Sequence, residues 1–136
     1  IKEIRLTTWD EEGYWIPRGW SRLGPIKTSS RIDVPRQGED LDAGTIAVAG
    51  VAWAPTRGID RVEVQVDDGP WQKATLGPTA SDGTWVQWWF RWDAKPGDHR
   101  LRVRAIDGDG RTQTATPAEP APNGAQGLHT VDVSVG

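Results

Sequence analysis

The sequence predicts an all-β domain of short antiparallel strands packed as two sheets. Three observations lead there. Apolar and polar residues alternate with period two along several short segments. Clusters of Gly, Pro, Asp and Asn separate those segments at short spacing. No segment carries the i, i+3, i+4 apolar spacing of an amphipathic helix. At 136 residues the chain is long enough for one domain. A chain of this size buries roughly 65–70% of its unfolded surface, enough for a core without staples.

Taken in order, residues 1–25 have no clean periodicity but hold Trp9, Tyr14, Trp15 and Trp20. They are expected to form an irregular lead-in whose aromatics pack against a missing neighbouring domain, with the domain proper at 26–136. The first strand is expected near 26–34, stopped by Pro35. The polar run RQGEDLDAG reads as a loop. A strand of small apolar residues follows at 45–54, and Pro55, Thr56, Arg57 and Gly58 turn the chain. In the strand at 60–67, Val62, Val64 and Val66 share one face, and Glu63, Gln65 and Asp67 the other. Asp68-Gly69 supplies a hairpin turn into a strand at 70–76 that carries Trp71, Ala74 and Leu76. After the turn-rich stretch GPTASDG come strands at 84–93 and 99–107, with a short edge strand at 112–116. The segment PAEPAPNGAQG is a loop, and 128–135 is the last strand. About seven principal strands at this spacing describe an immunoglobulin-like antiparallel β-sandwich. The Cys…Trp…Cys pattern of antibody domains is absent.

Composition excludes several functions. Sixteen basic residues against nineteen acidic ones give a net charge of −3. Nucleic-acid and anionic-membrane binders carry a basic excess, so neither partner is expected. No apolar run approaches the ~18 residues of a membrane helix, so no direct membrane insertion is expected. There is no cysteine, hence no disulfide, thiol nucleophile or thiolate metal site. His99 and His129 are too few for a histidine metal cluster, and no regularly spaced Asp loop suggests calcium. Nothing resembles a nucleophile elbow, and Gly108-Asp109-Gly110 is a turn without the strand-to-helix context of a phosphate loop. No catalytic residue and no metal site are therefore expected. Ile1 is not a natural start, so the chain reads as a piece of a longer protein.

Two strands suggest surfaces. In 84–93, Val86, Trp88, Phe90 and Trp92 share one face, and Trp85, Gln87, Trp89 and Arg91 the other. The first set belongs in a core. Trp85 and Trp89 then stand on an outer face, as interface candidates or beneath a covering loop or lead-in. Nine tryptophans are more than one small core needs. In 99–107, Leu101, Val103 and Ala105 face inward, and Arg100, Arg102 and Arg104 face outward. That stripe reads as an anion site or, more simply, as arginines paired with acids such as Glu63 and Asp67 across the ladder.

The segment at 50–77, GVAWAPTRGIDRVEVQVDDGPWQKATLG, adds a resemblance. Its features run from a small-residue strand through a Gly/Arg loop and Ile-x-Arg-Val-x-Val-x-x-Asp-x-Gly to Trp71, five residues before Leu76. The series continues through Trp85-Val86-Gln87-Trp88, Leu101-Arg102-Val103-Arg104-Ala105-Ile106-Asp107 and Val131-Asp132-Val133-Ser134-Val135. Tyr14-Trp15, Arg18-Gly19-Trp20 and Pro25-Ile26-Lys27-Thr28 extend it upstream. Together these resemble the C-terminal dimerisation domain of the sulfite oxidase family of molybdenum enzymes. The resemblance implies a non-catalytic domain of a bacterial oxidoreductase. That domain would dimerise and wall the catalytic molybdopterin domain of the same chain. It implies molybdenum-molybdopterin in the parent, none in this fragment, and a periplasmic or cell-envelope setting. It also implies that Arg57 reaches the oxyanion pocket of the catalytic domain, although Pro55-Thr56 stand where the family commonly has glycines. A rival reading is a carbohydrate-binding module using exposed tryptophans. It accounts for the tryptophans but not for the 50–77 segment.

Overall fold

The computed structural model describes residues 1–136. Nine strands form: β1 Ser29–Val34, β2 Asp40–Leu41, β3 Gly44–Trp53, β4 Ile59–Val66, β5 Gln72–Lys73, β6 Thr75–Leu76, β7 Val86–Ala94, β8 Gly97–Asp107 and β9 His129–Val135. One sheet has the order β1-β3-β7-β6 and the other β2-β9-β8-β4-β5. The fold is an immunoglobulin-like β-sandwich, as the alternation requires. Six of the strands are long, and β2, β5 and β6 are two residues each.

The core lies between the sheets. Val48, Ala52, Trp88 and Trp92 come from the first sheet, and Val62, Val64, Leu101, Val103, Val131 and Val133 from the second. These are the inward positions that period two assigns. Gly50 is required where β1 bulges past β3, because a Cβ there would run into the Arg31 carbonyl. Polar links close the side of the sandwich. The Gln113 side-chain oxygen accepts from Ser30 Oγ at 2.6 Å and from the Ala105 N–H at 3.2 Å, while its amide nitrogen donates to Gly127 O at 2.9 Å. The Ile32 N–H donates to His129 Nδ1 at 3.1 Å, tying β1 to the opposite sheet.

Three expectations change. The strand at 70–76 is two strands in different sheets: β5 pairs with β4, and β6 with β7. The chain crosses at buried Ala74, whose N–H donates to Val62 O, and then Gly77 donates to Gln87 O. Side-chain alternation continues through such a crossing, so the sequence pattern does not register it. The loop at 36–44 contains β2, which runs parallel to β9 in an otherwise antiparallel fold. The edge strand at 112–116 reduces to a single bridge from Thr112 to Ile106. Residues 1–25 are irregular apart from a 3-10 turn at Ile16–Arg18. Ser21 in this lead-in and Lys27 just after it are tied to the 117–127 loop through Pro122, Asn123, Gly124 and Gln126.

Candidate functional site

The outer faces of the two sheets differ in chemistry. On the first, strand register lines up Val34, Ala49 and Trp89 in one row and Arg31, Val51 and Gln87 in the next. Trp85 is 55% exposed and Trp89 44%. No loop covers them, and neither does the lead-in, whose own Trp9, Tyr14 and Trp15 are also exposed. Trp53 leans on Trp85 with ring centroids 6.3 Å apart and planes 52° apart, and donates its N–H to Gly83 O at 3.0 Å. That tilt is not a flat ring platform. A shallow groove runs across the face between Val34, Ala49, Val51 and Trp89.

The outer face of the second sheet is polar and paired. Arg104 binds Glu63 at 2.7 Å and lies over the Trp71 ring, 4.2 Å from its centroid. Arg102 pairs with Asp68 at 2.9 Å and Arg100 with Asp132 at 2.6 Å. The arginine stripe is therefore neutralised by its neighbours. At one end, both His99 ring nitrogens meet acceptors: Nδ1 meets Asp67 Oδ2 and Nε2 meets Lys95 O, each at 2.9 Å. Only the imidazolium satisfies both. The Asp67 hydrogen bond raises the His99 pKa against the opposing effect of burial. Burial acts to raise Asp67, but the Arg100 N–H and His99 outweigh it and leave Asp67 lowered.

Arg57 stands at neither face. The turn places its Nε 2.9 Å from Asp107 Oδ2, and its Nη2 reaches Ile26 O at 3.1 Å and Thr28 Oγ1 at 3.3 Å. Asp107 is 1% exposed and also accepts from Thr28 Oγ1 and the N–H groups of Asp109 and Arg111. Burial acts to raise this carboxyl, but those hydrogen bonds and the guanidinium hold it below the ordinary value. Gly108 permits the approach, since a Cβ there would strike the Arg57 carbonyl. Arg57 thus clamps the segment just before β1 to the end of β8. Its Nη1 makes no hydrogen bond within the chain.

Sequence reasoning missed Asp107 as the partner of Arg57, although a signal existed. Asp107 continues the inward series Leu101, Val103, Ala105, and a carboxylate on a core parity needs a cation. No group of three His, Cys, Asp or Glu side chains is close enough to hold a metal ion.

No protein-family model matches this sequence, and no curated protein matches it. Among solved structures, the sulfane dehydrogenase SoxCD from Paracoccus pantotrophus is similar, with a TM-score of 0.62 and 25% identity. The match covers 77% of this chain and 29% of that one, so this chain spans under a third of its relative. Fibronectin(III)-like modules of Clostridium thermocellum CbhA match with a TM-score of 0.53 and 19% identity, over 81% of this chain and 47% of that one. The endo-beta-1,4-mannanase from Thermotoga petrophila matches with a TM-score of 0.54 and 13% identity, over 82% of this chain and 20% of that one. The last two likenesses speak for the fold alone.

Proposed function

We propose that this chain is a non-catalytic accessory domain of a larger oxidoreductase resembling the sulfite oxidase family. It supports the subunit interface and walls the catalytic domain. The observation that carries this reading is the apolar patch of Val34, Ala49, Val51 and Trp89 on the outer face of the first sheet, with Trp85 and Trp89 uncovered. The likeness to part of a dehydrogenase chain supports the oxidoreductase context. The molybdenum implied by the resemblance is held there through a cysteine thiolate. This chain has no cysteine, so its residues do not fit that group, which would belong to the catalytic domain. Arg57 is positioned by Asp107 and Thr28, and its Nη1 is the donor it could offer an anion in a neighbouring domain.

The test is the double change Trp85→Ser and Trp89→Ser. Sedimentation of the intact parent enzyme should show weakened subunit or domain association. Circular dichroism of the domain should be unchanged, because neither indole belongs to the core. Loss of folding with unchanged association would defeat the reading.

A further inference from the structure

We propose that the open edge of β7 pairs with β7 of a second copy of this chain, joining the two four-stranded sheets into one. This deepens the reading above and rests on its dimerisation half. On one side β7 is paired along its whole length with β3. On the other, β6 covers only Trp88 and Trp89, and the adjoining Gly77 donates to Gln87 O at 2.7 Å. No strand lies beside residues 90–94 on that side.

The Gln87 contact sets the parity. Backbone groups two residues apart on a strand point to the same side. Gln87, Trp89, Arg91 and Asp93 therefore direct their N–H and C=O groups toward the β6 side. Thr75 lies opposite Trp89. The groups of Arg91 and Asp93 on that side meet no partner in the chain. Such an edge is a template for another strand.

Charge selects the strand. Arg91 and Asp93 are exposed, Arg91 has no ion-pair partner in the chain, and Asp93 is held only by exposed Lys95 at 2.7 Å. An antiparallel two-fold pairing centred on Trp92 sets Arg91 opposite the partner's Asp93, twice. It also makes those two residues the hydrogen-bonded pairs, for about four inter-chain backbone bonds. Centring on Arg91 or on Asp93 would set like charges opposite. It would also require Trp89, already beside Thr75, or Lys95, beyond the strand end. The window is closed at both ends, by β6 and by Pro96, which has no N–H to donate. A foreign peptide need not satisfy this two-fold match, whereas a second β7 does.

The test combines sedimentation equilibrium with amide hydrogen exchange across a concentration series of this chain. A monomer–dimer equilibrium is expected, with exchange at the Arg91 and Asp93 amides slowing as concentration rises. Arg91→Asp alone and Asp93→Arg alone each set like charges opposite and should weaken association on the order of tenfold. The double variant should restore it to within about threefold, with unchanged circular dichroism throughout. A chain that stays monomeric overturns the proposal. So does a dimer whose Arg91 and Asp93 amides exchange as before, or a double variant that stays as weak as the singles. Slowing only on addition of the catalytic domain would give the edge to a foreign strand and also overturn it. Each of these outcomes leaves the tryptophan test on the intact parent to be decided separately.

Discussion

The two outer faces of this sandwich are built on the same period-two alternation and end in opposite chemistry. On the second sheet, β8 sends out Arg100, Arg102 and Arg104, and each meets an acid from a neighbouring strand or turn. On the first, β7 sends out Trp89 after exposed Trp85, and the neighbouring strands answer with Ala49, Val51 and Val34. A face whose charges are internally paired has little left to offer a partner. A face of uncovered indoles beside small apolar side chains keeps its apolar surface in water until something docks. The difference teaches that outward-pointing residues say little singly. What decides a face is whether the adjacent strand supplies a partner.

The largest expected effect separates a buried pair from the exposed ones. Arg57→Ala strips the cation from the buried Asp107 carboxylate. Asp107 keeps its Thr28, Asp109 and Arg111 bonds, so the expected loss is about 2–3 kcal/mol rather than the full cost of an orphaned buried charge. Urea midpoints measure it. A loss below about 0.5 kcal/mol would mean that Arg57 is an ordinary surface arginine.

Next comes the inner side of β8. Val103→Ala removes fully buried methyl groups between the sheets and should cost about 2 kcal/mol. A smaller loss than for Arg102→Ala in the same denaturant series would mean that the inward and outward faces had been exchanged.

The His99–Asp67 pair tests the polar face through pH. The folded pKa of His99 is raised, so its contribution is fully present below the unfolded value near 6.5. It is lost as pH rises through the folded value. Asp67 is lowered, so its contribution is present above its unfolded value and fades as pH falls through the folded one. With the Asp67 side chain half exposed, screening limits the pair to about 0.5–1 kcal/mol. Thermal melts across pH 5–8 should show stability declining on the alkaline side, and His99→Gln should flatten that decline. An unchanged slope in the variant would assign it elsewhere.

Arg102→Ala should matter least. Its partner Asp68 is almost fully exposed, and its own Nε is buried without an acceptor. The expected change is under about 0.5 kcal/mol, read from the same urea midpoints as Val103→Ala.

Much of this was legible beforehand. Of the inward sets, Val62, Val64, Trp88, Trp92, Leu101, Val103 and Ala105 reach the core, Val86 is buried, and Val66 and Phe90 are partly buried against it, because a side chain's face depends only on its parity along a strand. The outward side of Trp89 followed from the same parity, whereas Trp85 stands just ahead of β7, and that neither is covered was left open by the sequence. The crossing at Ala74 did not, since it leaves the side-chain pattern intact while the backbone changes hydrogen-bonding partner. Nor did the parallel β2, two polar-flanked residues whose pairing with β9 depends on where a distant strand lies.

By itself the sequence determined the sandwich, its core and the outward placement of Arg100, Arg102, Arg104 and Trp89. These are local consequences of alternation and turn chemistry. Only the tertiary structure decided which outward groups are satisfied. Asp107 meets Arg57 across fifty residues of chain, and Asp132 meets Arg100 across thirty-two. Trp85 and Trp89 meet nothing that covers them. Such meetings depend on which strands become neighbours and in what register, and a long-range pairing leaves no mark on either segment alone. The open edge beyond β6 belongs to the same class: it exists because the chain leaves one sheet for the other, and only the assembled ladder reveals where pairing stops.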